Sequence, residues 1–199
     1  MTTRRASSLR SFGRFTPPGR VQSTAPPARS GPCKCPACQV EDGMAFDFDA
    51  EWERMQGIIG RSGHCIQYVM ADPGGFDWAY TIGRVRKGQP ELLVTGVEPE
   101  VAAMMLNEIV KGWDAMWSTP DGVFTLPGSH RHQCRLSAVP DSVWDSEYLL
   151  GAQRDVEEQG LIDQREALQV LWADSTHIYP GDVGASAFSR KRQPIIGLL

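Results

Sequence analysis

The residues best suited to bind a metal are three cysteines crowded into the segment 33–38, which reads CKCPAC. Thiolates are good zinc ligands because Zn²⁺ is borderline soft and four-coordinate. Cys35 and Cys38 have the two-residue gap of a zinc knuckle, and Cys33 stands just before them. The spacing therefore predicts that Cys33, Cys35 and Cys38 bind zinc, with the coordination completed by a ligand from elsewhere in the chain.

Histidine and cysteine alternate in a second segment, at His130, His132 and Cys134. Alternate side chains of a strand point to the same face, so these residues would project together and could supply the missing zinc ligand. The other interpretation treats Cys134 and Cys65 as small buried core residues and His130 as a solvated residue at a strand start. The sequence leaves both interpretations open.

Two segments carry residue types that are used in nucleophilic or acid–base catalysis. Lys34, beside the clustered thiols, would lower a thiol pKa and raise its reactivity. His177 stands near Asp174 and Asp182, as a general base requires. Neither segment holds a complete constellation, because no histidine can be assigned to the cysteines and a loop histidine is commonly a solvated one.

A basic patch closes the segment 78–87, which reads WAYTIGRVRK and begins as a predicted strand. It is a compact basic cluster outside the N-terminal region, and guanidinium groups match the oxygens of phosphates and carboxylates. We therefore predict that Tyr80, Thr81 and Arg84 bind a flavin or another phosphate-bearing ligand. The alternative is a solvated loop with no ligand.

The first 32 residues differ from the rest of the chain in charge and composition. They hold six arginines and no carboxylate, and they are rich in Ser, Thr, Pro and Gly. So few apolar groups cannot offset the entropy of ordering, which predicts a disordered arm over residues 1–32. Two further interpretations are an arm that contacts nucleic acid or another polyanion, and a mitochondrial-type transit peptide.

Residues 33–199 form an acidic body, with 14 basic and 24 acidic residues. This balance argues against a broad phosphate-binding face on the body itself. Five cysteines favour reduced thiols in the cytoplasm over a disulfide framework, because the count is odd. There is no apolar run of the roughly 18 residues that a membrane helix needs and no secretory h-region, so a cytoplasmic protein without a membrane span is predicted.

Hydrophobic periodicity predicts the elements that position these residues. Helices are predicted from Asp47 to Gly60, from Glu98 along an apolar stripe to Trp117, and from Asp141 to Gly160. Strands are predicted at 64–70, 78–82, 91–95, 123–126, 131–139 and 168–172. The pattern favours a single α+β domain over residues 33–199, with a mainly antiparallel sheet, or a small open barrel, covered by two or three helices.

Several segments of this body resemble a bacterial family of uncharacterised domains, domain of unknown function 4262. They are 78–83 (WAYTIG), 89–96 (QPELLVTG), 169–174 (QVLWAD) with 179–180, and 193–197 (QPIIG). The resemblance covers about residues 33–199 and includes short cysteine-rich starts such as 33–38. The sequence departs from the family pattern at Arg84, where leucine is usual, and at Gly63 and His64, where Gly-Trp is more frequent. The resemblance implies a bacterial protein and brings no established activity.

Two classes of function follow from these observations. The first is a non-catalytic binding or accessory protein, in which a zinc knuckle orders the start of the body and the basic arm engages RNA or DNA. The second is an enzyme that holds a flavin or other phosphate-bearing ligand at the strand-end loops near Tyr80 and Arg84, by analogy with small barrels. The sequence specifies neither a reaction nor an oligomeric state.

Overall fold

The computed structural model describes residues 47–72, 74–113, 123–126 and 133–198. Its helices are α1 (Phe48–Ser62), α2 (Pro99–Lys111), α3 (Leu150–Glu158) and α4 (Ala187–Arg192). Its strands are β1 (Cys65–Val69), β2 (Trp78–Ile82), β3 (Glu91–Thr95), β4 (Val123–Thr125), β5 (Gln133–Ala138) and β6 (Ala167–Trp172). None of the helices in these ranges is long and apolar enough to cross a membrane.

The strands form one six-stranded sheet in the order β1-β2-β3-β6-β5-β4. The contact between β3 and β6 is parallel, and the other four contacts are antiparallel. In the described part of the chain the sheet is open, with β1 and β4 at its edges. The predicted α+β class and mainly antiparallel sheet are therefore confirmed.

Helices cover both faces of this sheet. One face packs against α1 and α3 through Trp52, Ile59, Ala152 and Val156. The other face packs against α2 through Ala102, Met105, Leu106 and Ile109. Because both faces are covered, every residue of the central strands β2 and β3 is buried, which accounts for the unbroken apolar run in β3.

The helix starts follow from local chemistry. Asp47 caps α1, its carboxylate accepting from the backbone N–H groups of Asp49 at 3.1 Å and Ala50 at 3.0 Å. Pro99 begins α2, where a missing N–H has no cost. The buried stripe of α2 runs through Ala102 rather than Val101, which is 40% exposed.

The helix predicted from Asp141 to Gly160 is shorter than expected. Two 3-10 turns, Asp141–Val143 and Glu147–Leu149, precede α3. Ser146 lies between them in an extended conformation, and its hydroxyl accepts from the N–H of Tyr148 at 3.4 Å. A serine that bonds its own backbone offers an alternative to continuing a helix, so the regular helix begins only at α3.

Candidate functional site

The chain turns sharply where β2 ends. Gly83 has a φ of 100°, and a Cβ there would lie 2.7 Å from the side chain of Ile59 in α1. Glycine is required both for this backbone conformation and for the close approach. The 3-10 turn Val85–Lys87 follows, and it carries the basic residues that the sequence analysis identified.

A buried carboxylate holds this turn in place. Glu91, at the start of β3, is 1% exposed. Its Oε1 accepts from the backbone N–H groups of Gly83 at 2.8 Å, Arg84 at 2.7 Å and Val85 at 3.2 Å. Its Oε2 accepts from the Thr81 hydroxyl at 2.6 Å. Burial raises the pKa of Glu91 to about 7, although these hydrogen bonds favour the ionised form.

Two of the residues predicted to bind a ligand are engaged within the fold. The Thr81 hydroxyl donates to Glu91 and accepts from the N–H of Leu92 at 2.8 Å. The Tyr80 hydroxyl donates to Oε1 of Gln67 at 3.0 Å and accepts from the N–H of Gly151 at 3.0 Å. Burial raises the pKa of Tyr80 to about 12, so it stays neutral. Their polar groups therefore tie strands and helix together.

The third predicted residue, Arg84, is in a different situation. Its side chain is 1% exposed, and its Nε donates to the carbonyl of Pro90 at 2.8 Å. Its Nη1 and Nη2 are buried and have no hydrogen-bond partner in the described part of the chain. The centre of the guanidinium lies 4.7 Å from the centroid of the Trp113 ring, a cation–π contact. Burial lowers the pKa of Arg84, and the charge of Glu91 opposes that change.

A guanidinium with two unpaired amino groups is unusual inside a protein. More than nine in ten buried polar groups have a partner, and the exceptions commonly mark a site where an ion or a water molecule binds. Each missing hydrogen bond to a charged donor costs on the order of 1–3 kcal/mol. The end of Arg84 is therefore a donor pair that requires acceptors.

Other polar groups lie near Arg84. His64 contacts Asn107 of α2, with 3.1 Å between Nε2 and Oδ1. Burial lowers the pKa of His64, and the positive charges of Arg84 and Lys87 lower it further. The Lys87 ammonium lies against Gly63, where a Cβ would come within 1.8 Å of Nζ. We call these five residues the Arg84 cluster: His64, Arg84, Lys87, Asn107 and Trp113.

The neighbouring Arg86 is paired with a buried carboxylate. Its Nε donates to Oδ2 of Asp155 at 2.9 Å, and its Nη2 donates both to Oδ1 of Asp155 and to the side chain of Gln56. Gln56 in turn donates to Asp155 at 3.0 Å. Asp155 is 1% exposed, so this network joins α1, the 3-10 turn and α3 inside the fold.

The predicted zinc ligands are mostly outside the described residues. This holds for Cys33, Cys35 and Cys38 and also for His130 and His132, so the zinc site stays a prediction. Cys134 lies on β5 opposite Phe124 of β4 and is fully buried. Burial raises the pKa of its thiol to about 12. Among the described residues no group of three or more His, Cys, Asp or Glu is placed to hold a metal ion.

The segment around His177 forms a turn built on Asp174. The Asp174 carboxylate accepts from the Thr176 N–H at 2.8 Å and hydroxyl at 2.6 Å. His177 is exposed and adopts a φ of 62°. Asp182 accepts from Arg135 at 2.7 Å. Both carboxylates near His177 are therefore bonded to other residues, which weakens the general-base interpretation.

The sequence analysis missed Glu91 and Asn107 as parts of this site. Glu91 carried a usable signal, since it is a carboxylate at the start of an otherwise apolar five-residue strand. A charged residue in a doubly covered strand must be hydrogen-bonded or paired. Asn107 carried no such signal, because a single asparagine on the surface of a predicted helix is common and does not indicate a binding site.

One comparison with known proteins gave a match. The family model described as "Domain of unknown function (DUF4262)" matches residues 58–186, which confirms the resemblance found from the sequence. The matched range runs from the end of α1 to the residue before α4, so it contains the Arg84 cluster and Glu91. No curated protein and no solved structure was found to match the chain.

Proposed function

This chain belongs to the DUF4262 family, and on that premise we propose that its domain is a binding protein for a small molecule with an oxyanion group. The oxyanion, a carboxylate or a phosphate, is held by Arg84. One observation carries the proposal: two charged donors, Nη1 and Nη2, are buried without acceptors in the part of the chain that the structure describes.

The geometry of Arg84 restricts how such a group can approach. Pro90 occupies the Nε donor, and the ring of Trp113 covers the guanidinium. The edge between Nη1 and Nη2 is buried and has no acceptor among the described residues. Two oxygens of one carboxylate or phosphate fit that edge as a pair of parallel hydrogen bonds, which lysine could not reproduce.

The electrostatics of the Arg84 cluster also favour an anion. Lys87 adds a second positive charge, while the lowered pKa of His64 keeps that ring neutral even somewhat below pH 6.5. The side-chain amino group of Asn107 can donate a further hydrogen bond to a polar part of a ligand. A predominantly positive site on an acidic body gives selectivity for a small anion, since the body as a whole repels large polyanions.

Binding without catalysis is the simpler form of this proposal. A catalytic site would need a base or nucleophile beside the ligand, and Tyr80, Thr81 and Glu91 are each bonded within the fold. A flavin or other phosphate-bearing cofactor would use the same guanidinium as its anchor. The enzyme alternative therefore shares the site and differs in what the bound molecule does.

The test is thermal unfolding of the full chain in chloride buffer with acetate, benzoate, sulfate or inorganic phosphate. A ligand that binds only the folded state raises the melting temperature with its concentration. We expect at least one of these anions to do so. We expect Arg84→Met to abolish the rise and Arg84→Lys to reduce it, because lysine offers a point charge instead of a fork.

Arg165→Met is the matched control. Arg165 also lies beside two carboxylates, those of Asp141 and Asp145, and its substitution removes the same charge far along the chain from the Arg84 cluster. It should leave the response to anions unchanged. Anions that fail to stabilise the wild type, or that stabilise Arg84→Met equally, would overturn the proposal. Native mass spectrometry and visible absorption of the purified protein would identify a retained phosphate-bearing cofactor such as a flavin.

The zinc knuckle and the basic arm stay separate predictions. Their residues lie outside the described part of the chain, and the oxyanion site does not depend on them. A nucleic-acid partner would be recognised by salt-sensitive binding that is lost when residues 1–32 are removed.

A further inference from the structure

Two buried groups of opposite charge belong to one short segment. Glu91 binds the N–H of Arg84, and the Arg84 side chain binds the carbonyl of Pro90, the residue that precedes Glu91. Neither group can move away from the other without breaking these bonds. The carboxylate therefore balances the guanidinium, even though Nη1 and Nη2 have no partner among the described residues.

An oxyanion bound at Nη1 and Nη2 adds a second negative charge to this enclosed place. Uncompensated charge is expensive in a buried environment, where water cannot screen it. The exposed Lys87 compensates only in part, because solvent screens it. A proton on Glu91 would restore the balance of one cation and one anion.

We propose that the oxyanion site is proton-linked, so that an anion binding at Arg84 brings a proton onto the Glu91 carboxyl group. Glu91 is thus a positioning residue, which holds the turn and also sets the charge that a ligand meets. The inference rests on the proposed function and specifies how that function is regulated by pH.

The hydrogen bonds show which oxygen would carry the proton. Oε1 accepts from three backbone N–H groups, which leaves no place for another hydrogen. Oε2 faces the Thr81 hydroxyl at 2.6 Å. A proton on Oε2 would donate to the Thr81 oxygen, which has one lone pair left beside the Leu92 N–H, and the Thr81 hydrogen would turn away.

Glu91 can also take up and release a proton near neutral pH, since burial raises its pKa to about 7. The groups whose charge it senses are Cys65 on β1, Tyr80 on β2, and Arg84 and Arg86 on the turn. The pKa values of Cys65 and Tyr80 are raised, so both stay neutral between pH 6 and 8. Both arginines stay charged.

Besides Glu91, His64 of the Arg84 cluster could take up a proton. It senses Arg84 and Lys87, and its pKa is lowered from 6.5. Any proton that it binds is therefore taken up in a more acidic range than that of Glu91. The two sources are distinguishable by substitution and by pH.

The test is calorimetric titration of the full chain with acetate and with sulfate, neither of which titrates between pH 6 and 8. For one linked proton the dissociation constant should be about tenfold higher at pH 8 than at pH 6. At pH 8, two cationic buffers of different ionisation enthalpy should report uptake approaching one proton per anion.

Glu91→Gln is the informative variant, because glutamine keeps an oxygen for the three N–H groups and an amide that can donate to Thr81. Its affinity should be the same at pH 6 and pH 8 within about twofold, and close to that of the wild type at pH 6. Glu166→Gln removes an exposed carboxylate next to the β3–β6 contact and should retain the pH dependence. His64→Asn should also retain it.

The outcomes separate this inference from the proposed function. Binding that is lost in Arg84→Met but independent of pH, with no proton uptake, would overturn the proton linkage and leave the function standing. A pH dependence that disappears in His64→Asn and persists in Glu91→Gln would also overturn it. If Glu91→Gln does not fold, the proton count of the wild type decides. Absence of binding at any pH contradicts the proposed function itself.

Discussion

Arg84 and Arg86 stand two residues apart on one turn, and each lies near a buried carboxylate, yet their environments are opposite. Arg86 uses its guanidinium to bond Asp155 and Gln56. Arg84 donates from Nε to the carbonyl of Pro90, and both of its terminal amino groups lack a partner within the described ranges. The 25% exposed Arg86 is thus better satisfied than the nearly inaccessible Arg84.

The difference separates a structural pair from a binding group. In the Arg86 network the guanidinium is bonded directly to the carboxylate of Asp155. Removal of either group would leave the other charge without its partner. Beside the Arg84 cluster, the carboxylate of Glu91 binds backbone N–H groups, and Nη1 and Nη2 of Arg84 have no acceptor among the described residues. Substitution of Arg86 should therefore mainly lower stability, whereas substitution of Arg84 should mainly weaken binding.

The largest effect is expected for Arg86→Met. It leaves Asp155 buried with only Gln56 as a side-chain donor, so the free energy of unfolding should fall by about 3–5 kcal/mol. Urea denaturation at pH 7.5 measures this loss. Arg54→Met is the control, because Arg54 is 60% exposed and its pair with Glu51 is worth less than about 1 kcal/mol. Equal losses in both variants would show that the Arg86 network is not a buried pair in solution.

The second effect concerns Glu91 and the pH dependence of stability. Its pKa is about 7 in the fold and 4.5 ordinarily, so the folded state binds the proton more tightly than the unfolded chain. The contribution of Glu91 to the free energy of unfolding should therefore be largest at low pH. It should fall by about 3 kcal/mol as pH rises from about 4.5 to about 7. Urea denaturation between pH 5 and 8 measures the slope.

Glu91→Gln should flatten that slope, and Glu166→Gln should not. His64 acts in the other direction, because its lowered pKa makes the fold lose stability as pH falls below 6.5. Above pH 6.5 the opposing effect of His64 is absent, and the remaining fall due to Glu91 is smaller because it ends as pH passes about 7. A wild type whose stability rises from pH 6.5 to 8 would contradict the assignment of a raised pKa to Glu91.

The contrast between the two arginines could not be derived from the sequence. Periodicity predicted most of the strands, the helices that begin at Asp47 and Glu98, and a basic patch after β2, because these depend on local alternation and capping. Which arginine meets Asp155 depends on α3, almost 70 residues later, docking beside α1. The spacing of residues in the sequence does not predict that contact.

Of the three residues predicted to bind a ligand, Arg84 alone has buried polar groups without a partner among the described residues. Tyr80, Thr81 and Arg84 were chosen as neighbours at a strand end, but alternation sends Tyr80 to the face covered by α3, where it bonds Gly151. Thr81 is bonded to Glu91, a residue on the next strand that was interpreted only as a strand start. Antiparallel pairing brings such residues together, and register cannot be derived from a strand pattern alone.

A smaller effect on stability is expected for Arg84→Met. The substitution removes two unpaired buried donors, but it also leaves the Pro90 carbonyl without its donor and Glu91 without a nearby cation. These terms oppose each other, so the free energy of unfolding at pH 6, where Glu91 is largely protonated, should change by less than about 1 kcal/mol. Urea denaturation in chloride buffer without other anions measures it. A loss as large as that of Arg86→Met would mean that Arg84 is a structural residue.

The smallest effect is expected for Lys87→Met, which tests how far the Arg84 cluster extends. Lys87 is exposed, and its positive charge is one of the causes that lower the pKa of His64. An exposed charge contributes about 0.2–1 kcal/mol, so acetate should bind up to about fivefold more weakly at 20 mM salt. Because salt screens exposed charges, the variant should match the wild type at about 0.5 M sodium chloride. A deficit that persists at high salt would place the Lys87 ammonium in direct contact with the ligand and make it a second anchor beside Arg84.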